Sequence, residues 1–273
     1  MRKIAVIGAG TLPGRELVKI LEVYGCSVLP LSCGQLTMNE ELGDLVIFEP
    51  QASLLEDIDL VILMEPVTIP GLLTGFSGCI LDFCVETTSS AEFIPLVGSW
   101  PKGVRYLRAR PAIEQVLAIV PMLVESVEEI SGTYLQSVAC LGDRGIEGLM
   151  EQTVAILKGE NPELDKLDYR GAFEIIPRAP MGLIMRVMVP SFHGDLLILH
   201  IRAADGKYLG RLEETPQGVE WRECPPTSRE VAINANLLAH LNIVNVGRAA
   251  VLTLGFDPIL WGVLRPVLRL LEL

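Results

Sequence analysis

The chain has 273 residues, half of them apolar, a net charge of −12 and a pI near 4.8. Such a length and apolar fraction suit a well-packed protein of two domains that buries about three quarters of its unfolded surface. With only 22 Lys and Arg, the charge balance opposes binding to nucleic acid or to an anionic membrane.

Lys3 to Ile7 has the length and β-branched content of a buried parallel strand, and it runs into Gly8-Ala9-Gly10-Thr11-Leu12-Pro13-Gly14. Leu17, Ile20, Leu21 and Tyr24 then recur at helical spacing. In such a strand-turn-helix unit, Gly8 permits the tight turn, Gly10 lets a ligand approach without a Cβ in the way, and Gly14 allows close packing of helix on strand. The helix N-terminus behind them offers unpaired N–H groups and a partial positive charge to a pyrophosphate. Gly8, Gly10, Thr11, Leu12 and Gly14 are therefore the candidates for holding NAD or NADP. The spacing is one residue longer than the commonest dinucleotide fingerprint, Pro13 removes one donor, and a turn that only packs the helix on the strand would look the same.

Ser27 to Ser32 reads as a second strand, beyond which dinucleotide folds place the residue that selects the adenosine ribose. Here Leu31-Ser32-Cys33-Gly34-Gln35 offers neither an acid nor a base. Asp44 to Phe48, Ile58 to Met64 and Gly78 to Phe83 read as further strands with short connections, which implies a mostly parallel sheet. Pro111 to Pro121 has helical spacing at Ile113, Val116, Leu117 and Val120.

Near residue 125 the pattern changes to alternation, and Val127 to Val138 reads as a strand entering a second domain. Gly145 to Leu157 is a helix that ends at Gly159. Met185 to Pro190 and Asp195 to Ile201 are strands, the second with so few polar breaks that it should be central. Gln217-Gly218 opens a short hairpin arm to Trp221. Pro258 to Leu273 is an amphipathic helix, with Arg265 and Arg269 four apart, that should return to cover the first domain. The expected division is 1–124 with 250–273, and 125–249. The apolarity of the strands at 187–190 and 196–201 exceeds what one core face needs, and a homodimer would bury it.

Cys26, Cys33, Cys79, Cys84, Cys140 and Cys224 form no C-x-x-C pair and none has a zinc-like spacing to a His. They read as buried small hydrophobes of a reducing compartment, with no metal site. No apolar run reaches the roughly 18 to 20 residues a bilayer span requires. The apolar stretch after Met1-Arg2-Lys3 is too short and glycine-rich for a signal peptide. A cytoplasmic protein is expected.

Taken together, Gly8 to Glu16, Cys79 to Asp82, Tyr134 to Val138, Gly142 to Thr153, Ala172 to Pro177, Val187 to Gly194, Val246 to Arg248 and the helix after Asp257 resemble the aspartate-semialdehyde dehydrogenase family in its own order. They are most similar to its shortened paralogues. The resemblance implies an α/β fold: a Rossmann-type, mostly parallel sheet completed by the C-terminal helix, with an inserted α+β domain that carries the dimer interface. It also implies a thiolate that attacks an acyl phosphate or aldehyde, a histidine as general acid/base and an arginine on the substrate carboxylate.

This chain departs from that pattern at each catalytic position. Ala109-Arg110-Pro111-Ala112-Ile113 stands where the family has its cysteine, and no Cys, Ser or Thr lies between Trp100 and Pro121. Met188 and Asp195 stand at the family's arginine and histidine. The stretch from Pro177 to Arg186 is too short for the family's Glu-x-x-Lys helix. Only Gln136 falls on a family active-site position, with Cys140, His193 and Arg186 as neighbours that could substitute. Two functions follow: an inactive, dinucleotide-binding dimer with an interaction or regulatory role and no clear small-molecule substrate, or an active NAD(P)-dependent oxidoreductase with relocated groups.

Overall fold

The computed structural model describes residues 2–34, 46–84, 92–95, 100–244 and 247–273. The chain separates into two compact units, Met1–Pro111 with Gly262–Leu273, and Ala112–Trp261.

In the first unit, β1 (Lys3–Ile7), α1 (Leu12–Val23), β2 (Ser27–Leu31), β3 (Leu60–Leu63), β4 (Cys79–Asp82), β5 (Glu92–Phe93) and β6 (Tyr106–Arg108) follow one another. The described strands form one sheet in the order β2-β1-β3-β4-β6-β5, with every pairing parallel. This is the expected Rossmann-type sheet. Its strand order reverses direction between β1 and β3, the kind of switch point at which open α/β sheets take ligands. Residues 4–7 and 60–63 are buried without alternation, as strands covered on both faces must be. Ala5, Ile7, Leu31, Leu55, Val61, Leu63 and Leu72 form one core cluster, and Leu17, Val18 and Leu21 bury the inner face of α1. Gly14 is required for that packing, because a Cβ on it would lie 2.1 Å from the Gly8 carbonyl oxygen.

The second unit contains α2 (Ala112–Leu117), β7 (Val127–Gln136), α3 (Gly142–Leu157), β8 (Ile176–Met181), β9 (Ile184–Met188), β10 (Asp195–Ala203), β11 (Val219–Trp221), α4 (Ser228–Ala232), β12 (Leu237–Val244) and β13 (Ala249–Phe256). Its described strands form a mixed sheet in the order β11-β12-β13-β10-β7-β9-β8. β10 is indeed central. Leu197, Leu199 and Ile201 on one face are fully buried beside Leu252, Leu254 and Phe256. Leu196 and Ile198 on the other face stay half-exposed. Gly132 lets β7 lie against β10, since a Cβ there would meet the Ile198 carbonyl oxygen at 2.1 Å.

The closing helix starts at Asp257, whose carboxylate accepts the Ile259 and Leu260 amides at 2.7 and 3.0 Å. It passes through a π segment at Leu260–Leu264 into α5 (Arg265–Leu271). Within the first unit α5 buries Val267, Leu270 and Leu271, and Arg2 donates to the Leu271 carbonyl at 3.1 Å.

Several expectations need correction. Residues 250–256 lie in the middle of the second sheet, hydrogen-bonded to β10 and β12, so they do not join the first unit as the division at 250 supposed. Residues 112–124 also group with the second unit. β11 is no hairpin arm, because it pairs in parallel with β12, 18 positions further along in the register Val219 to Leu237. Of the six cysteines, which are all free, Cys26, Cys33, Cys79 and Cys84 are half-buried, while Cys140 and Cys224 are exposed. Gln35, Val246 and the first two residues of the strand expected at 44–48 lie outside the described residues. Phe48 alone pairs with Leu31, in a parallel bridge.

Candidate functional site

The glycine turn of the first unit is built by its own hydrogen bonds. Gly8 adopts φ +91° and its N–H donates to the Leu31 carbonyl at 2.8 Å, as does that of Ala9 at 3.0 Å. Thr11 caps α1. Its Oγ1 accepts the Gly14 N–H at 3.2 Å and donates to the Gly8 carbonyl at 2.7 Å. The hydroxyl is thus committed to the cap. Pro13 has no N–H, and the Arg15 N–H goes to the Thr11 carbonyl at 2.9 Å. The amides of Gly10 and Leu12 make no hydrogen bond among the described residues. Arg15 adds a cation beside them, because its Nη1 donates to the Gly10 carbonyl at 2.6 Å. Two open amides, a helix N-terminus of three turns and a guanidinium fit an anionic group such as a pyrophosphate. Sequence reading missed Arg15, although an arginine in the first turn of a helix behind a glycine loop is a usable signal.

Of the residues singled out from the sequence, Ile113, Met188 and Asp195 are buried in the second unit, whereas Ala109, Arg110 and Ala112 are half-buried and Pro111 is exposed. Ile113, in the segment that stands for the nucleophile, is 3% exposed and packs in the main cluster. Met188 is also buried, and its sulfur accepts from the Tyr169 hydroxyl and from Arg178 Nη2. Asp195 is fully buried. It accepts the Tyr134 hydroxyl at Oδ2, and the Ser137 N–H and hydroxyl at Oδ1, at 2.8 and 2.6 Å. Burial pushes its carboxyl up to about 6, against the pull of those bonds from Ser137 and Tyr134. Burial and the neighbouring Asp195 likewise hold the Tyr134 phenol protonated. Between Pro177 and Arg186 the chain is a β-hairpin turning at Gly182, φ +58°, with no helix.

The neighbours proposed as substitutes are only partly brought together. Arg186 Nη2 donates to Gln136 Oε1 at 3.2 Å. Arg178, its register partner across β8 and β9, stacks on the Tyr169 ring at 4.9 Å. Neither arginine has a carboxylate partner among the described residues, and the Nε of each is buried without a hydrogen bond. Both act electrostatically on Cys140, but burial of its sulfur and the proximity of Asp195 outweigh them and push the thiol up to about 12. The His193 ring makes no hydrogen bond among the described residues, and nothing couples it to Cys140, Gln136 or Arg186. Sequence reading missed Arg178, whose place is visible only once β8 is paired with β9. Among the described residues no group of three His, Cys, Asp or Glu could hold a metal, and no helix is long and apolar enough to cross a membrane.

A parallel Rossmann-type sheet and a second, mixed sheet define a two-unit α/β fold. More particularly, the chain has the fold of the aspartate-semialdehyde dehydrogenases. It is similar to a probable aspartate-semialdehyde dehydrogenase of Pseudomonas aeruginosa, with TM-score 0.78 and 16% identity over 98% of this chain and 97% of that one. Aspartate semialdehyde dehydrogenase II of Vibrio cholerae, complexed with ASA, gives TM-score 0.78 and 16% identity over 100% and 97%. The Francisella tularensis enzyme gives 0.77 and 12% over 100% and 99%. No family model and no curated protein matches the sequence.

Two outcomes follow from the second unit. Asp195 binds its proton more tightly folded than unfolded, so its contribution favours the folded state at acid pH and fades as pH rises from about 4 to about 6. Asn at this position can accept both Ser137 bonds and donate to Tyr134. Relative to Asp195→Asn, the parent should lose on the order of 2–3 kcal/mol of stability between pH 4 and 7 in urea unfolding. Cys140 should alkylate with iodoacetamide at pH 8 at least about tenfold more slowly than a free cysteine, read by peptide mass spectrometry.

Proposed function

We propose that the chain is an aspartate-semialdehyde-dehydrogenase-like protein that has lost acyl transfer and retains a dinucleotide-binding first unit. The observation that carries this reading is the segment Ala109 to Ile113, which stands where the family has its cysteine and holds no Cys, Ser or Thr. Removal of a covalent nucleophile costs such an enzyme about a millionfold in turnover. Conversion of the histidine and arginine positions to buried Asp195 and Met188 points the same way. Gly8, Gly10, Thr11, Leu12 and Gly14 would shape the cofactor cradle, with the Gly10 and Leu12 amides and Arg15 as its donors. A nicotinamide dinucleotide, when bound there, can accept or give a hydride. This chain's own residues contribute binding and orientation.

One arrangement favours the second reading, an active oxidoreductase. Arg178, Arg186, Gln136 and Cys140 gather on one part of the second unit, with neither guanidinium paired to a carboxylate among the described residues. The high pKa of Cys140 weighs against its use as a nucleophile. Calorimetry with NAD and NADP, alongside an assay with aspartate semialdehyde and phosphate, separates the readings. The first expects cofactor heat and no reduction of either cofactor. Phosphate-dependent reduction abolished by Cys140→Ser would establish the second.

The chain further acts, in this proposal, as a homodimer formed through the open face of the second sheet. Leu135, Met185, Ile198 and Val251 lie on that face, half-buried or exposed beside fully buried Leu197 and Leu199. An apolar surface of this kind is normally covered. Light scattering at micromolar concentration should give the mass of a dimer, and Ile198→Asp should give a folded monomer.

A further inference from the structure

In dinucleotide folds the adenosine ribose lies beyond the second strand, where an acid holds its hydroxyls or a base meets the 2′-phosphate of NADP. Ser32, Cys33 and Gly34 supply neither, but the fold brings an acid there from another strand. After β3, the Met64 N–H donates to the Ile7 carbonyl at 2.7 Å. The next residue, Glu65, sends its side chain across the end of β1 to the exit of β2. Its Oε1 accepts the Ser32 hydroxyl at 3.1 Å and the Cys33 N–H at 2.5 Å. Oε2 has no hydrogen-bond partner among the described residues and lies 3.8 Å from where a Cβ on Gly34 would stand. The crossing depends on Gly8, because a Cβ there would sit 2.8 Å from Glu65 N and 3.0 Å from its Cγ.

We propose that Glu65 selects the cofactor. Its open oxygen accepts the ribose 2′-hydroxyl of NAD, while its charge repels the 2′-phosphate of NADP and its other oxygen occupies the Ser32 and Cys33 donors that a phosphate would need. The inference rests on the reading that the glycine turn binds a dinucleotide. It makes Glu65, from the end of β3, a substitute for the acid that the end of β2 lacks.

The test is titration of the 273-residue protein with NADH and NADPH, followed by calorimetry, for the parent and for Glu65→Gln. The glutamine keeps an acceptor for Ser32 and Cys33 and removes the charge. The parent is expected to hold NADH roughly tenfold or more tightly than NADPH, and Glu65→Gln to bring the two together through a gain for NADPH. Equal affinities in the parent overturn the role of Glu65 and leave the dinucleotide reading standing. So does an unchanged ratio in a Glu65→Gln protein whose thermal unfolding matches the parent. Absence of heat with either cofactor at millimolar concentration, in both proteins, overturns the dinucleotide reading and the inference with it. The parent ratio decides the matter even if the variant fails to fold.

Discussion

The second unit depends on one buried carboxylate. Asp195 opens the central strand β10, and its three accepted bonds fix the start of that strand to Tyr134 inside β7 and to Ser137 just past its end. The chain leaves this junction in two directions that both matter. Val138 to Leu141 turns as a 3-10 segment into α3, with the Val138 N–H on the Ser191 carbonyl at 2.9 Å, while Gln136 turns inward to Arg186. A carboxylate without water is costly unless its oxygens are paired, and here Oδ1 is doubly paired and Oδ2 singly. Asp195 is therefore a strut between β7 and β10. A strut needs rigidity and full satisfaction, whereas a general acid needs an open face toward the reacting atoms. The geometry of Asp195 meets the first demand and excludes the second.

The parallel sheet was legible because covered strands leave a simple mark, short unbroken apolar runs ending at glycine or a turn, as at Ile4 to Ile7 and Leu60 to Leu63. β12 and β13 left a weaker one. His240 and Asn242 interrupt the first, and Gly255 and Thr253 dilute the second, so neither stands out until the two strands and β10 are side by side. The misreading of Val219 to Trp221 has a different origin. A two-residue period identifies a strand and says nothing of its partner, and β11 pairs with a strand 18 residues on rather than across its own turn. The cysteines were judged by residue type, yet Cys140 and Cys224 sit at ends of elements where type has little force.

The site was legible to the extent that it is local. Turn chemistry at Gly8 to Gly14 depends on neighbours in sequence, and so does the absence of a thiol between Trp100 and Pro121. Glu65 and Arg178 depend on register. The carboxylate of Glu65 reaches Ser32 and Cys33 only because β1 separates β3 from β2 and because glycine at position 8 leaves a gap above it. Arg178 meets the neighbourhood of Arg186 only through the β8 to β9 hairpin. Neither relation has a sequence spacing that could announce it.

The same distinction bears on what fixes the fold apart from any chemistry. What fixes the backbone here is close approach: Gly14 on Gly8, Gly132 on Ile198, and apolar side chains such as Ile113 and Phe256 in the core. None of these needs a nucleophile or a proton donor, so a likeness of TM-score 0.78 at 16% identity speaks for the fold alone. Arg178 and Arg186 are the exception. Two guanidiniums brought side by side, each with a buried and unpaired Nε, oppose folding through desolvation and mutual repulsion. The strands would pair as well with neutral residues at both positions. An anion between the two would reverse the sign of that contribution, so the pair is the part of the second unit that packing alone does not account for.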